Sequence, residues 1–148
     1  MHTDIFRLAT CVIMLCMTTP VLADNTTTTL APCPDSPNCV SSQAPETDRE
    51  HYIAPLRFTG DAADAWQRLK VAVLTEKRVT IVAEQADYLH AEMRSLLFRF
   101  VDDVEFSLAA DAGLIQVRSA SRVGHSDFGV NRKRVERIRA AFVAQPAS

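Results

Sequence analysis

A chain of 148 residues, 47% hydrophobic and 23% charged, is long enough for one packed domain and short for two, and it does not have the composition of a disordered chain. A net charge of −2 and a pI near 6.1 exclude nucleic acid as a bulk partner. The cations are uneven, since seven of the sixteen Lys and Arg fall between Arg118 and Arg139, so one end can still hold a small anion.

Residues 1–23 read as a signal peptide. Arg7 supplies the positive end, Leu8 to Met17 the apolar run, and Val21-Leu22-Ala23 a small-residue cleavage site. The run is too short to anchor a helix across a bilayer, so no transmembrane segment is expected after cleavage. An uncleaved anchor and a lipoprotein are the rival readings. Leu8-Ala9-Thr10-Cys11 has the look of a lipidation box but precedes the apolar run. Cleavage removes Asp4 with Arg7, and Cys11 with Cys16, leaving Cys33 and Cys39. In the periplasm or outside the cell, two cysteines six apart are expected to bond to each other.

Residues 24–31 form a polar linker, and residues 32–145 a single domain. Pro32 to Ser42, with three prolines and turn-forming Asp, Ser and Asn, reads as a rigid loop stapled by the disulfide. His51 to Phe58 alternates around Pro55 and predicts an edge strand. Asp61 then caps a helix whose core face carries Ala62, Ala65, Trp66, Leu69, Ala72 and Val73.

Short strands follow at Val79 to Ala83 and at Tyr88 to Arg94. Phe98 to Leu108 is a longer strand, with Phe98, Phe100, Val104, Phe106 and Leu108 on one face. Asp102 falls on that apolar face, which demands either a bulge or a partner. Ile115 to Ser119 completes the sheet. If Phe106 faces Val117, Glu105 lies opposite Arg118, Asp103 between Arg118 and Arg122, and Asp102 near Ser121.

The last helix begins near Asn131, which could cap it, with Asp127 capping the turn before. Its apolar stripe is Val135, Ile138, Ala141 and Phe142. Arg132, Lys133 and Arg134 in a first helical turn oppose the macrodipole, which calls for an anion or carboxylate nearby. The fold expected is α+β, in the order β-α-β-β-β-β-α: a mostly antiparallel five-stranded sheet with two helices on one face.

Cys33 to Ser42, Phe100-Val101-Asp102-Asp103-Val104-Glu105-Phe106, and Arg118 through Gly124 with Ser126 to Arg132 carry a resemblance. Together they resemble a widespread bacterial and plastid domain of unknown function, over roughly residues 32 to 143. The resemblance implies an exported protein or lipoprotein and no established activity. His125 stands where an aromatic residue such as Tyr is common in that family.

Three functions remain open from the residues. In the first, the chain is a binding module for a small anionic ligand or an envelope protein. Arg118, Arg122, Arg132 and Arg134 would meet a carboxylate or phosphate, with Ser119, Ser121 and Asn131 as neutral donors and Asp102, Asp103 and Asp127 orienting the arginines. In the second, the same Asp and Arg residues form a fold-stabilising ion network. In the third, the chain is a hydrolase. Ser119, Ser121 or Ser126 with His125 and Asp127 has triad side chains, but no G-x-S-x-G elbow surrounds a serine. Asp102, Asp103, His125 and Asp127 could instead hold a hard cation. The residues favour a non-enzyme, and neither a cofactor nor a metal is assigned.

Overall fold

The computed structural model of the chain describes residues 28–95 and 100–146. The expected signal peptide, the first residues of the linker, and Phe98 lie outside the described residues.

Among the described residues, six strands and two α-helices build the domain, with one 3-10 turn at Ala110–Ala112. They are β1 (Cys39–Ser41), β2 (Leu56–Arg57), α1 (Ala62–Leu74), β3 (Val79–Glu84), β4 (Tyr88–Arg94), β5 (Val101–Ala109), β6 (Leu114–Ser121) and α2 (Val130–Val143). The sheet is ordered β1-β6-β5-β4-β3 and its strand pairs are antiparallel; β2 also pairs with β6. The architecture is therefore the expected α+β sheet with two helices.

The sheet has six strands, and the sixth comes from the proline-rich segment. Cys39, Val40 and Ser41 pair with Ala120, Ser119 and Arg118. Proline ends the run at Pro37, so the residues after it are free to donate to a ladder. The disulfide from Cys33 to Cys39 holds the start of β1, as the two-cysteine count required. The expected strand from His51 to Phe58 is regular only at Leu56–Arg57, because Pro55 lacks the N–H that would continue it. β1 and β2 thus follow one another along the same edge of β6.

One face of the sheet packs on both helices. Trp66, Leu69 and Val73 of α1 meet Val135, Ile138 and Phe142 of α2 over Leu89, Ala91, Val104, Phe106, Ile115 and Val117. Strand parity alone puts these sheet residues on one side. Asp61 caps α1 as expected, its carboxylate accepting from the Asp64 backbone N–H at 2.8 Å. Every residue of this described core lies between Val40 and Phe142.

The register between β5 and β6 pairs Phe106 with Val117, Glu105 with Arg118 and Asp102 with Ser121. No bulge breaks β5; the irregularity in the sheet is in β3, between Ile81 and Ala83. Phe100 does not join the core face. The backbone N–H of Ser95 donates to the Phe100 carbonyl, and the Phe100 N–H donates back to Ser95 Oγ, each at 2.9 Å. Phe100 thus lies before the strand, half-exposed, and β5 starts one residue later. Gly113 closes the β5–β6 turn at φ 64, and a Cβ there would stand 3.1 Å from the Phe58 carbonyl.

Replacing Cys33 and Cys39 together by Ser should lower unfolding free energy by about 2–3 kcal/mol, the chain-entropy value for so short a loop. Urea unfolding of the oxidised parent and the double variant measures it; equal stabilities would show that the bond constrains nothing.

Candidate functional site

The residues singled out in the sequence separate into three places. The first is a buried polar cluster between α2 and the sheet. Arg134 and Asp102 are each 6% exposed. The Arg134 guanidinium donates to the Asp102 carboxylate, to Asn131 Oδ1 and to Ser119 Oγ. Ser119 Oγ donates to Asn131 Oδ1 at 2.6 Å. Asn131 Nδ2 donates to the Asn38 carbonyl at 2.9 Å and to Ser121 Oγ at 3.0 Å. Asn38 in turn donates its amide to the Gly124 carbonyl and accepts from Ser36 Oγ. Asp102 sits on the apolar face because Arg134 reaches it there, which is the pairing its parity demanded.

Position explains the convergence. Asn131 and Arg134 are three apart and share one face of α2. Ser119 and Ser121 are two apart on β6 and point the same way, and Asp102 lies opposite Ser121 on β5. Asn38 arrives through β1. It is the residue that sequence reading missed; its signal was its place in the proline-rich segment, one residue before Cys39.

The second place is the sheet face without helices. Arg122 makes a bidentate pair with Asp103, both contacts at 2.8 Å, and reaches Glu92 at 2.6 Å. His90 Nε2 shares Asp103 at 2.7 Å. Next to this group, Arg118 and Tyr88 both donate to Glu105, at 2.8 and 2.7 Å. Burial alone would raise the Asp103 carboxyl, but hydrogen bonds from Arg122 and His90 hold it below the usual range. Burial, and then Glu105, push the Tyr88 phenol above its usual value.

The third place is the outer side of α2. Arg132 donates to the Glu50 carbonyl at 3.0 Å, and Arg139 to the carbonyls of Ala54 and Pro55. These cations tie the segment between β1 and β2 to the helix. The expected convergence of Arg118, Arg122, Arg132 and Arg134 on one anion pocket therefore does not occur.

Asp127 does not orient an arginine. Its carboxylate accepts from the backbone N–H groups of Gly129 and Asn131, at 2.9 and 2.7 Å. α2 starts at Val130 behind a left-handed Gly129, and Asn131 spends its side chain on the buried cluster instead of capping. The carboxylate that the basic first turn called for is Asp127 itself. The triad does not assemble either. Ser119 is committed to Asn131, Ser126 Oγ accepts from the Phe128 N–H, and His125 is exposed without bonding a serine. Among the described residues no three metal-ligating side chains gather.

A cavity of about 580 Å³ opens at the end of the domain where α1 stops, β4 ends and α2 begins. Arg134 and Asp102 form part of its wall. Lys77, Arg78, Arg94, Arg137 and Glu76 complete its charged lining. Both carboxylates are occupied, Asp102 by Arg134 and Glu76 by a bidentate contact with Arg137. Arg94 pairs with Glu92 outside the cavity. Lys77 and Arg78 have no carboxylate partner among the described residues, Arg78 donating to the Arg94 carbonyl. Five cations thus face two carboxylates that are already paired. Their sequence signal was a Lys-Arg turn after α1, too short to stand out.

A family model described as a protein of unknown function, DUF1499, matches residues 29–142, and the chain belongs to that family. A search of the curated proteins found no match. The three segments that carried the resemblance meet in the buried cluster, Asn38 from the first, Asp102 from the second, and Ser119, Ser121 and Asn131 from the third, with Arg134 just beyond it.

The two ion networks differ in burial, and stability should follow. Arg134→Ala leaves a buried carboxylate unpaired and should cost roughly 3–5 kcal/mol in urea unfolding. Arg122 is 44% exposed at its side chain, so Arg122→Ala should cost clearly less. Equal losses would contradict the assignment. The lowered Asp103 value has a signed consequence. Its contribution is complete above the unfolded carboxyl value of about 4 and is lost as pH falls through the lower folded value. The stability gap between the parent and Asp103→Asn, widest near neutral pH, should close on acidification. A gap that is constant with pH would refute the pairing.

Proposed function

We propose that the chain is exported, loses residues 1–23, and acts in the periplasm or outside the cell as a binding module for a small anion bearing a carboxylate or phosphate. The site is the cavity at the ends of α1, β4 and α2, not the Arg118–Arg134 corner as a whole. The observation that carries the reading is the surplus of cations there: Lys77 and Arg78 face the cavity without a carboxylate among the described residues, beside a buried Arg134 held by Asp102 and an exposed Arg137 paired with Glu76. Cations fixed by their own partners lose little freedom when an anion arrives. Arg78 also has a left-handed backbone, φ 56, a conformation that bulky residues rarely keep without a use for it. Export is supported by the charged start, apolar run and Val21-Leu22-Ala23 of the leader, and by the Cys33–Cys39 bond, which persists in oxidising compartments.

The second reading, a fold-stabilising ion network, accounts for Arg118, Arg122 and the Arg134–Asp102 pair, each of which meets a carboxylate. The two readings divide the arginines between them. A hydrolase has no support in the geometry, since no serine hydroxyl contacts a histidine ring among the described residues; His51 meets only the backbone carbonyl of Ser36.

Calorimetric titration of the chain from Asp24 onward with glycerol phosphate, inorganic phosphate and acetate tests the binding. The parent should bind at least one of them, and Lys77→Glu with Arg78→Glu should weaken it by about tenfold or more with an unchanged Tm. Absence of heat with all three, or undiminished affinity in the double variant, rules the cavity out as an anion site.

A further inference from the structure

The cavity does not stand alone at its end of the domain. Val130 lines it. Two residues before Val130, Phe128 is 89% exposed, in the loop that enters α2. Val123 is half-exposed at the start of the same loop. The Arg122 backbone N–H donates to the Val101 carbonyl at 3.1 Å, which brings Val123 up to the start of β5, where Phe100 is also half-exposed. Four large apolar side chains thus lie at one end of the domain: Val123 and Phe128 in the loop before α2, Val130 in the first turn of α2, and Phe100 before β5. Phe128 and Arg78 are the non-glycine residues with left-handed backbones among those described, and both lie at this end. A Phe held at φ 55 and pointed into solvent is disfavoured twice, by its backbone and by its exposure.

The surroundings of these tips are basic. Lys133 lies one turn after Gly129, and Lys77 and Arg78 are exposed around the cavity; none of the three has a carboxylate partner among the described residues, whereas Arg122 and Arg94 are paired. The nearby carboxylates are engaged: Asp103 and Glu92 by Arg122, Glu76 by Arg137, and Asp127 by the start of α2.

The geometry points to an anionic phospholipid surface as the partner of this end, with Phe128 and Val123 inserted among the headgroups and one lipid phosphate held in the cavity by Lys77 and Arg78. This rests on the anion-site reading above and names its ligand. Protruding apolar tips ringed by cations match a membrane interface, where apolar burial and attraction to anionic lipid add. Lys77 and Arg78, which have no carboxylate partner among the described residues, stand at the same end of the domain as these apolar side chains and favour an anionic lipid surface over a protein partner, whose interface core would be depleted of charge.

The test uses the chain from Asp24 onward, which contains the whole described core, so that the apolar leader cannot anchor it. It is sedimented with vesicles of equimolar phosphatidylglycerol and phosphatidylcholine, and with phosphatidylcholine vesicles alone. Binding is expected to the first and not to the second, and to weaken with added salt. Phe128→Ser with Val123→Ser should lower partitioning about tenfold or more, while leaving Tm and the affinity for soluble glycerol phosphate unchanged. Lys77→Glu with Arg78→Glu should abolish both kinds of binding. Vesicle binding that ignores the Phe128 and Val123 substitutions, or equal binding to neutral vesicles, overturns the membrane proposal. Glycerol phosphate binding without vesicle binding also overturns it and leaves the anion site standing, as a site for a free phosphate. Failure of both arms removes both.

Discussion

The pair between Arg134 and Asp102 is the constraint from which the rest of the arrangement follows. Neither group can enter the interior alone, because an unpaired buried charge costs several kcal/mol. Together they still leave donors and acceptors to satisfy, and the neighbours do so: Asn131 and Ser119 take the remaining guanidinium contacts. Asn131 then commits its amide to Asn38 and Ser121. Each bond fixes one element against another, α2 to β5, α2 to β6, and β1 to α2. A hydrophobic contact between the same elements would tolerate a slip of one residue; a set of directional bonds to a buried charge does not. The disulfide acts at the far end of this chain of contacts, by placing the residue next to Asn38.

The same pair decides what kind of cavity can exist beside it. Helix α2 docks through Arg134, so its first turn stands over the start of β5 and leaves a space between itself, the turn after α1 and the end of β4. Arg134 faces that space with its charge already compensated. Charge available to a ligand must therefore come from residues that have no such duty. Lys77 and Arg78 are those residues, in a turn that contributes nothing to the described core. In the proposed site the labour would be divided between a buried charge pair that gives rigidity and surface cations that would give affinity.

Much of the fold could be read from the sequence because its signals are local or alternate with period two. The apolar parity of Phe106 and Val117 fixed the register of β5 against β6, and with it the neighbours of Asp102, Asp103 and Glu105. The capping carboxylate of α1 and the stripe of α2 were equally plain. The short strand β1 was hidden, since three residues carry no periodicity and prolines masked the segment as a loop. The limits of the candidate site have a different cause. Arg118, Arg122, Arg132 and Arg134 are close in sequence, but strand parity and helical pitch send them to three surfaces. Density along the chain is not density in space. Conversely, Lys77, Arg94 and Arg137 belong to three elements, and only the packing of those elements brings them together.

A net charge of −2 is no argument against an anion site of this kind. Most of the acidic residues near the cavity are paired side chain to side chain, and such pairs have little field beyond their own neighbourhood in salt. What a ligand meets at close range is the local excess. In a partly enclosed space that excess is screened less than it would be on an open surface, so two unpaired cations weigh more than the overall balance of the chain. The four exposed apolar side chains follow a similar logic. Each alone is an ordinary surface residue, and it is their presence at the end of the domain that carries the cavity, with Phe128 exposed on a left-handed backbone, that sets this end apart.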